Sequence, residues 1–309
     1  MNKCQTTVDV VIPSYRPDEK FIKLLKRLQQ QEYPIEKIFV INTRTGSFPE
    51  EVEQMERVKV THIEPRDFDH GATRDMGMRM SDAEVVVFMT QDAVPADEYV
   101  ISNLVKALEQ DEMIGAAYAR QLAAADCNYI ERYTRKFNYP EKGRIKTQKD
   151  IAELGIKTFF CSNVCAAYRK DIYEKTGGFC KRTIFNEDMI LAGHMILAGY
   201  KIAYAAEAKV IHSHNYTGIQ QFHRNFDMAV SQVEHPEVFE GIKSESEGIR
   251  LVKQTAGHLV KQRKIYLVPK LVYQSGCKYL GYRMGKMYKK LPYKVVRWCS
   301  MSPRYWEKY

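Results

Sequence analysis

EVVVFMTQDAVP occupies residues 84–95. Its apolar run, Val85 to Met89, is mostly β-branched and stops at Thr90-Gln91-Asp92. A short continuous apolar run bounded by polar and turn residues reads as a strand covered on both faces, as in a parallel sheet packed between helices. In open sheets of that kind, ligands bind just beyond the carboxyl ends of the strands. Asp92 stands at such an end, before Ala93 and Pro95, which are expected to stop the strand. A carboxylate there suits a hard divalent cation that also holds substrate phosphates. It suits equally well the cap of a following helix, and this stretch alone leaves both readings open.

Upstream, VDVVI (8–12) reads as a first strand that Pro13-Ser14-Tyr15-Arg16-Pro17 should end. Asp18 then starts a helix with Phe21, Leu24, Leu25 and Leu28 on one face. KIFVI (37–41) and VKVTHI (58–63) are further strands, the former ending in Asn42-Thr43-Arg44. Strands alternating with helices predict an α/β fold with a mainly parallel sheet. Before the 84–95 stretch lies Asp67-Phe68-Asp69-His70-Gly71-Ala72-Thr73-Arg74. Its glycine permits close backbone approach, the helix after it offers free N–H groups to an anion, and Arg74 brings a guanidinium suited to phosphate. A plain loop-to-helix turn explains the same residues.

Downstream, a helix is expected over 97–109 and a strand over 113–119 with Arg120-Gln121 at its end. EKGRIKTQKDIAELGI (141–156) is polar and charged, and reads as a mobile loop over the site. KTFFCSNVCAAY (157–168) reads as a strand interrupted by Ser162-Asn163, followed by a short helix that Gly177-Gly178 close. Glu187 and Asp188 open an amphipathic helix ended by Gly199. Acids in a first turn complement the helix dipole, or one of them is a general base beside a reacting hydroxyl. Residues 201–213 read as a pair of strands ending His212-Ser213-His214, whose two imidazoles share a face if the strand continues through them.

The 309 residues suffice for one large α/β domain and an appendage. No basic-then-apolar leader opens the chain, no run approaches the ~20 apolar residues of a spanning helix, and the seven cysteines are scattered as in a reduced cytosolic protein. The net charge of +9 is asymmetric: residues 250–309 carry 15 Lys/Arg and one acid, leaving residues 1–249 net negative. The boundary is placed at 235, giving a domain over 1–235 and a basic, aromatic-rich helical region over 236–309. Basic amphipathic helices with aromatic residues suit an anionic membrane surface; an oligomer contact or a nucleic acid fits the same composition.

VVIPSYRP (10–17), FDHGATRDMG (68–77), VVVFMTQDAVP (85–95), ARQL (119–122), FNYP (137–140), TFFCSNVCAAYRKDIYEKTGGF (158–179) and FNEDMILAGHMILAGYKIAYAAEAKVIHSHNY (185–216), in this order, resemble the inverting family 2 glycosyltransferases of GT-A fold. They look closest to the bacterial rhamnosyltransferases of cell-surface polysaccharide synthesis. The resemblance implies a Rossmann-like GT-A sheet flanked by helices. It implies Asp188 as base with Glu187 beside it, and a donor site of Pro13, Ser14, Tyr15, Asn42, His70, Arg74, Gln91, Asp92 and Arg120. It implies Mg²⁺ or Mn²⁺ on Asp92 with His212 or His214. The expected reaction moves L-rhamnose from dTDP-L-rhamnose to a lipid-linked saccharide, at the cytoplasmic face of the membrane. A UDP-hexose donor is the nearby alternative, and a nucleic-acid-binding protein using the basic tail is the alternative of another class. The acidic body and the absence of a nucleic-acid motif speak against the latter. The position after Arg74, usually Asn in the rhamnosyl branch, is Asp75.

Overall fold

Among the described residues nine strands form one mixed sheet: β1 (Val8–Tyr15), β2 (Lys37–Thr43), β3 (Val58–Ile63), β4 (Val85–Met89), β5 (Val94–Pro95), β6 (Ile114–Leu122), β7 (Arg144–Lys146), β8 (Cys165–Arg169) and β9 (Lys201–Ile211). This computed structural model describes residues 5–46, 48–242 and 245–307, the side chains of 245–247 excepted. The strand order is β3-β2-β1-β4-β8-β6-β9-β5, with β7 on β9. β1 to β4 run parallel to one another, and β8 lies antiparallel between β4 and β6. The order reverses between β1 and β4, which puts a switch point, and so a ligand crevice, at their carboxyl ends.

The chain divides into two compact units. The first comprises Met1–Ala124, Tyr139–Arg182 and Glu187–His212, and it holds the whole sheet. All of Val85 to Met89 is buried, as its unbroken apolar run requires. Helix Glu19–Gln29 is capped by the Asp18 carboxylate on the N–H groups of Lys20 and Phe21, and it buries Phe21, Leu24, Leu25 and Leu28.

Several boundaries differ from those expected. β1 runs on through Pro13 to Tyr15, because beyond Val11 it pairs only with β2 and a missing N–H is tolerated there. Pro95 sits in β5 rather than outside the sheet, opposite Val210. Residues 201–211 form one strand, with a register break opposite Ala119/Arg120, rather than two. The 157–168 segment becomes a strand only from Cys165; Gly155–Phe159 is a 3₁₀ turn.

The charged 141–156 segment is ordered and is not a mobile loop. β7 adds to the edge of β9, Arg144 bridges Asp150 (2.5 Å) and Glu153 (2.9 Å), and Thr147 and Asp150 cap each other. Lys146 is buried. Its ammonium donates to the carbonyls of Lys157 (3.1 Å) and Phe160 and lies 4.9 Å from the centre of the Tyr118 ring. Burial pushes that ammonium down to about 7. Polar composition alone reads as mobility, but these charges are satisfied locally.

The second unit comprises Ala125–Asn138, Thr183–Asn186 and Ser213–Tyr309 and is helical. It begins before 235, because helix Gly218–Glu234 packs on helix Val268–Lys286. Cβ atoms added to Gly281 and Gly285 would sit 2.2 and 2.3 Å from the carbonyl oxygens of Phe222 and Phe226, so only glycine lets the two backbones come this close. Phe222, Phe226, Val230, Val296, Cys299 and Trp306 form its core. Tyr288 and Tyr305 each donate to Glu234, at 3.1 Å. Among the described residues no helix is long and apolar enough to cross a membrane.

Candidate functional site

The carboxyl ends of β1, β2 and β3 carry a polar relay. Ser14 Oγ donates to Asn42 Oδ1 (3.1 Å), Asn42 Nδ2 donates to His62 Nδ1 (3.0 Å), and His62 Nε2 reaches Glu53 (3.3 Å). Past the last β1–β4 backbone pair, Gln91 takes over the pairing with its side chain. It accepts from the Tyr15 N–H (2.7 Å) and donates to the Tyr15 carbonyl (2.9 Å). The Tyr15 ring is left exposed at the mouth of the crevice, with the Arg16 guanidinium 5.2 Å from its centre. Ser14, Tyr15, Asn42 and Gln91 are therefore brought together at the switch point.

One turn on, Asp92 is not a helix cap. The next helix starts at Val100 after Tyr99. Asp92 Oδ2 instead faces His212 Nε2 at 3.5 Å. The other ring nitrogen of buried His212, Nδ1, is 3.0 Å from Gln121 Oε1, and Gln121 Nε2 donates to Ser162 Oγ at 3.1 Å. Gln121 thus presents an acceptor to Nδ1 and turns Nε2 toward the Asp92 carboxylate. A ring nitrogen and a carboxylate oxygen facing each other, the ring oriented by an outer hydrogen bond, form a donor set suited to a divalent cation. The residues present fit such an ion. β9 ends at Ile211, so His212 and His214 follow the strand and do not alternate along it. His214 belongs to the second unit.

Glu187 and Asp188 form the first turn of helix Glu187–Leu197, and they differ in state. Burial, and next the neighbouring Glu187, push the Asp188 carboxyl up to about 7. Burial would raise Glu187 too, but Arg74 above all, with His70 and the Asn163 amide, holds it below the usual carboxylate range. Arg74 is buried; its Nη1 sits 3.1 Å from Glu187 and also donates to the His70 carbonyl (2.9 Å). Arg74, expected on the donor side, is also the counter-ion of Glu187.

Asn163 joins these groups. Its N–H donates to Asp188 Oδ2 (3.0 Å), its amide donates to Glu187 (3.2 Å), and its Oδ1 accepts from the Tyr168 hydroxyl (2.8 Å). Its neighbour Ser162 is the residue that anchors Gln121 behind His212. One dipeptide therefore ties the acid pair to the Asp92–His212 pair. Asn163, Ser162, Gln121 (as the orienter of His212) and His62 were not among the expected site residues. The polar break of Ser162-Asn163 in an apolar run was their one signal.

The remaining expected residues fall as follows. Gly71 is in the first turn of helix His70–Met80, where a Cβ would meet the Cys180 carbonyl at 1.9 Å. The free N–H groups expected there are already bound: the Asp69 carboxylate accepts from Gly71 and Ala72. Asp75, the departure after Arg74, accepts from Tyr173 (2.9 Å) and Arg79 (2.6 Å), which gives it a structural use. Arg120 leaves the end of β6 and pairs with Glu141 at 3.3 Å.

A Glycosyl transferase family 2 domain matches residues 9–177. The sequence is 39% identical over 306 residues to the O-antigen chain rhamnosyltransferase RfbN of Salmonella typhimurium, covering 97% of this chain and 96% of that protein. It is 35% identical over 302 residues to the O-antigen chain rhamnosyltransferase WbaN of Salmonella anatum, covering 96% and 95%. Among solved structures, the mannosyltransferase PcManGT of Pyrobaculum calidifontis, in complex with GDP-Man and Mn²⁺, is similar with a TM-score of 0.57 at 16% identity, covering 99% of this chain and 86% of that one. Staphylococcus aureus TarS 1–349 in complex with UDP-GlcNAc gives a TM-score of 0.52 at 13% identity, covering 92% and 91%. At these identities the structural likenesses speak for the fold.

Proposed function

This chain belongs to glycosyl transferase family 2, and from that premise we propose that it moves L-rhamnose from dTDP-L-rhamnose to a hydroxyl of a lipid-linked saccharide in O-antigen chain synthesis, with inversion. The choice of sugar is supported by near-full-length similarity to two rhamnosyltransferases of O-antigen chains. The observation that carries the chemistry is the Ser162-Asn163 link, which holds a half-buried carboxyl pushed up to about 7 in register with an Asp–His pair at the strand ends.

In this reading Asp188 takes the proton from the acceptor hydroxyl. A base whose affinity for a proton matches neutral pH is the effective one. Arg74 keeps Glu187 ionised, and the negative charge of Glu187 keeps Asp188 basic. The N–H groups of Asn163 and Met189 fix the direction of the Asp188 carboxylate. Ser14, Tyr15, Asn42 and Gln91, with Pro13 before Ser14, His70 and Arg74 in the first turns of helix His70–Met80 and Arg120 near the end of β6, line the donor side. Asp92 and His212, with His214 two residues along, would hold Mg²⁺ or Mn²⁺. Bound there, the ion supplies positive charge to the leaving diphosphate. With one base and no protein nucleophile in the scheme, displacement occurs in a single step. We place the reaction at the inner face of the cell membrane, where a lipid-linked acceptor is held.

The test is thermal stability against a panel of nucleotide sugars, with and without Mn²⁺. A donor at 100 times its Kd adds about 2.7 kcal/mol. A metal-dependent rise with dTDP-L-rhamnose and little with UDP-hexoses supports the reading. A rise with a UDP-hexose alone keeps the enzyme class and discards rhamnose.

A further inference from the structure

We infer that the outward face of helix Val268–Lys286 docks this chain on an anionic lipid bilayer. The inference rests on the proposed function only in that a lipid-linked acceptor gives docking a use; its observations lie wholly within the second unit.

The helix is turned inside out relative to an ordinary amphipathic helix. Its buried stripe is Leu271, Gly281 and Gly285, and the two glycines lie against the backbone of helix Gly218–Glu234. The large apolar side chains point the other way. Val272 is 61% exposed, Tyr279 56% and Leu280 57%; Met287 follows the helix on the same side, and Ile265 and Tyr266 precede it. At 100° per residue, Val272, Tyr279, Leu280 and Met287 fall within one arc opposite the glycines. An apolar stripe this long in water marks a binding surface.

Charge selects the occupant. From Arg250 to Trp306 the chain has 14 Lys/Arg and not one Asp or Glu. Arg283 and Lys286 are exposed on or beside the stripe, and exposed Lys289 and Lys290 follow the helix. A second copy would bring the same excess of positive charge to this face and repel it. A nucleic acid would satisfy the charge and leave Val272, Leu280 and Met287 in water. An anionic bilayer satisfies both, with lysines and arginines at the headgroups and tyrosines and aliphatic side chains below them.

The test is co-sedimentation of the full chain with vesicles, in the absence of any nucleotide sugar. Phosphatidylcholine vesicles containing phosphatidylglycerol should bind the protein at low salt and release it at high salt. Pure phosphatidylcholine should bind it far less. The double variant Tyr279→Ser, Leu280→Ser removes only exposed side chains and should weaken binding about ten-fold or more. The double variant Lys289→Gln, Lys290→Gln should weaken it about five-fold per charge. Circular dichroism and activity on a soluble acceptor should be unchanged in both. Absence of vesicle binding, or equal binding by the Tyr279→Ser, Leu280→Ser variant, overturns the inference. So does a dimer in sedimentation velocity that this variant dissolves, which would give the face to a second copy. So does a nucleic acid that displaces the vesicles and binds the apolar variant equally well. Loss of transfer with vesicle binding intact counts against the proposed function alone.

Discussion

Replacing Asp188 by asparagine should destroy transfer and, at alkaline pH, make the protein more stable. The carboxyl is half-buried, and desolvation with Glu187 beside it pushes it from its ordinary 3.8 to about 7. At 1.36 kcal/mol per pH unit, holding it ionised at pH 8 costs about 4 kcal/mol, an upper limit because Glu187 shares the site. The sign follows from linkage. Between about pH 4 and 7 the folded protein keeps a proton that the unfolded chain has lost, so stability falls as pH rises through that window. Asparagine removes this cost. It keeps one acceptor for the two N–H groups, of Asn163 and Met189, that the carboxylate now serves. Losing one such charge-assisted bond costs about 1.5–3 kcal/mol. The net gain at pH 8 is about 1–2.5 kcal/mol, a rise of a few degrees in Tm. At pH 5 only about a third of the ionisation cost remains, and the lost hydrogen bond cancels it. Calorimetry of both proteins at pH 8 and pH 5 reads this difference directly. Transfer should fall about 10²–10⁴-fold, while donor affinity stays within a few-fold. A Tm difference that is the same at both pH values, or transfer retained by the variant, refutes the assignment of Asp188 as the base.

Three further outcomes follow from the same contacts. Arg74→Met strands Glu187 as an uncompensated buried charge and should cost about 3–5 kcal/mol at pH 8, less at pH 5 where Glu187 can take a proton; chemical denaturation at the two pH values checks it. Gln121→Ala removes the group that orients His212 and should weaken Mn²⁺ binding about 10–100-fold, read by titration calorimetry, while the pH midpoint of kcat stays where it was. Asn163→Ala takes a donor from Glu187 and the acceptor from Tyr168; it should lower stability by about 1–3 kcal/mol and lower kcat with the donor Kd unchanged, and a loss of donor affinity alone would count against its place beside the base.

The alternation of apolar strands with amphipathic helices was enough to read a mainly parallel α/β sheet and the placing of Asp92 and of Glu187-Asp188 at element ends, and the resemblance of the motifs added the GT-A fold. These are consequences of local periodicity and of where a strand or helix must stop. Each depends on residues within a few positions of one another, so a linear chain displays them. Even there, propensity misplaced β1's end, since whether Pro13 breaks a strand depends on which edge its missing N–H faces. It also read 141–156 as a loop, since charge satisfied by its own neighbours has the composition of charge satisfied by water.

Only the tertiary structure decided what the charged groups do. Arg74 lies 113 residues before Glu187, and nothing local says that its guanidinium meets that acid. Gln121, Ser162 and His212 come from a strand end, a loop and the residue after another strand, and their hydrogen bonds fix which nitrogen of the imidazole faces Asp92. The two adjacent acids are alike in sequence and unlike in state, because one has an arginine and the other a hydrophobic burial with a carboxylate beside it. The glycines of helix Val268–Lys286 likewise decide which of its faces is inside. Periodicity can say that a face is apolar, but close backbone packing at Gly281 and Gly285 turned the larger side chains outward. Burial, charge partners and proton position are properties of the assembled contacts, and a sequence specifies them only by folding.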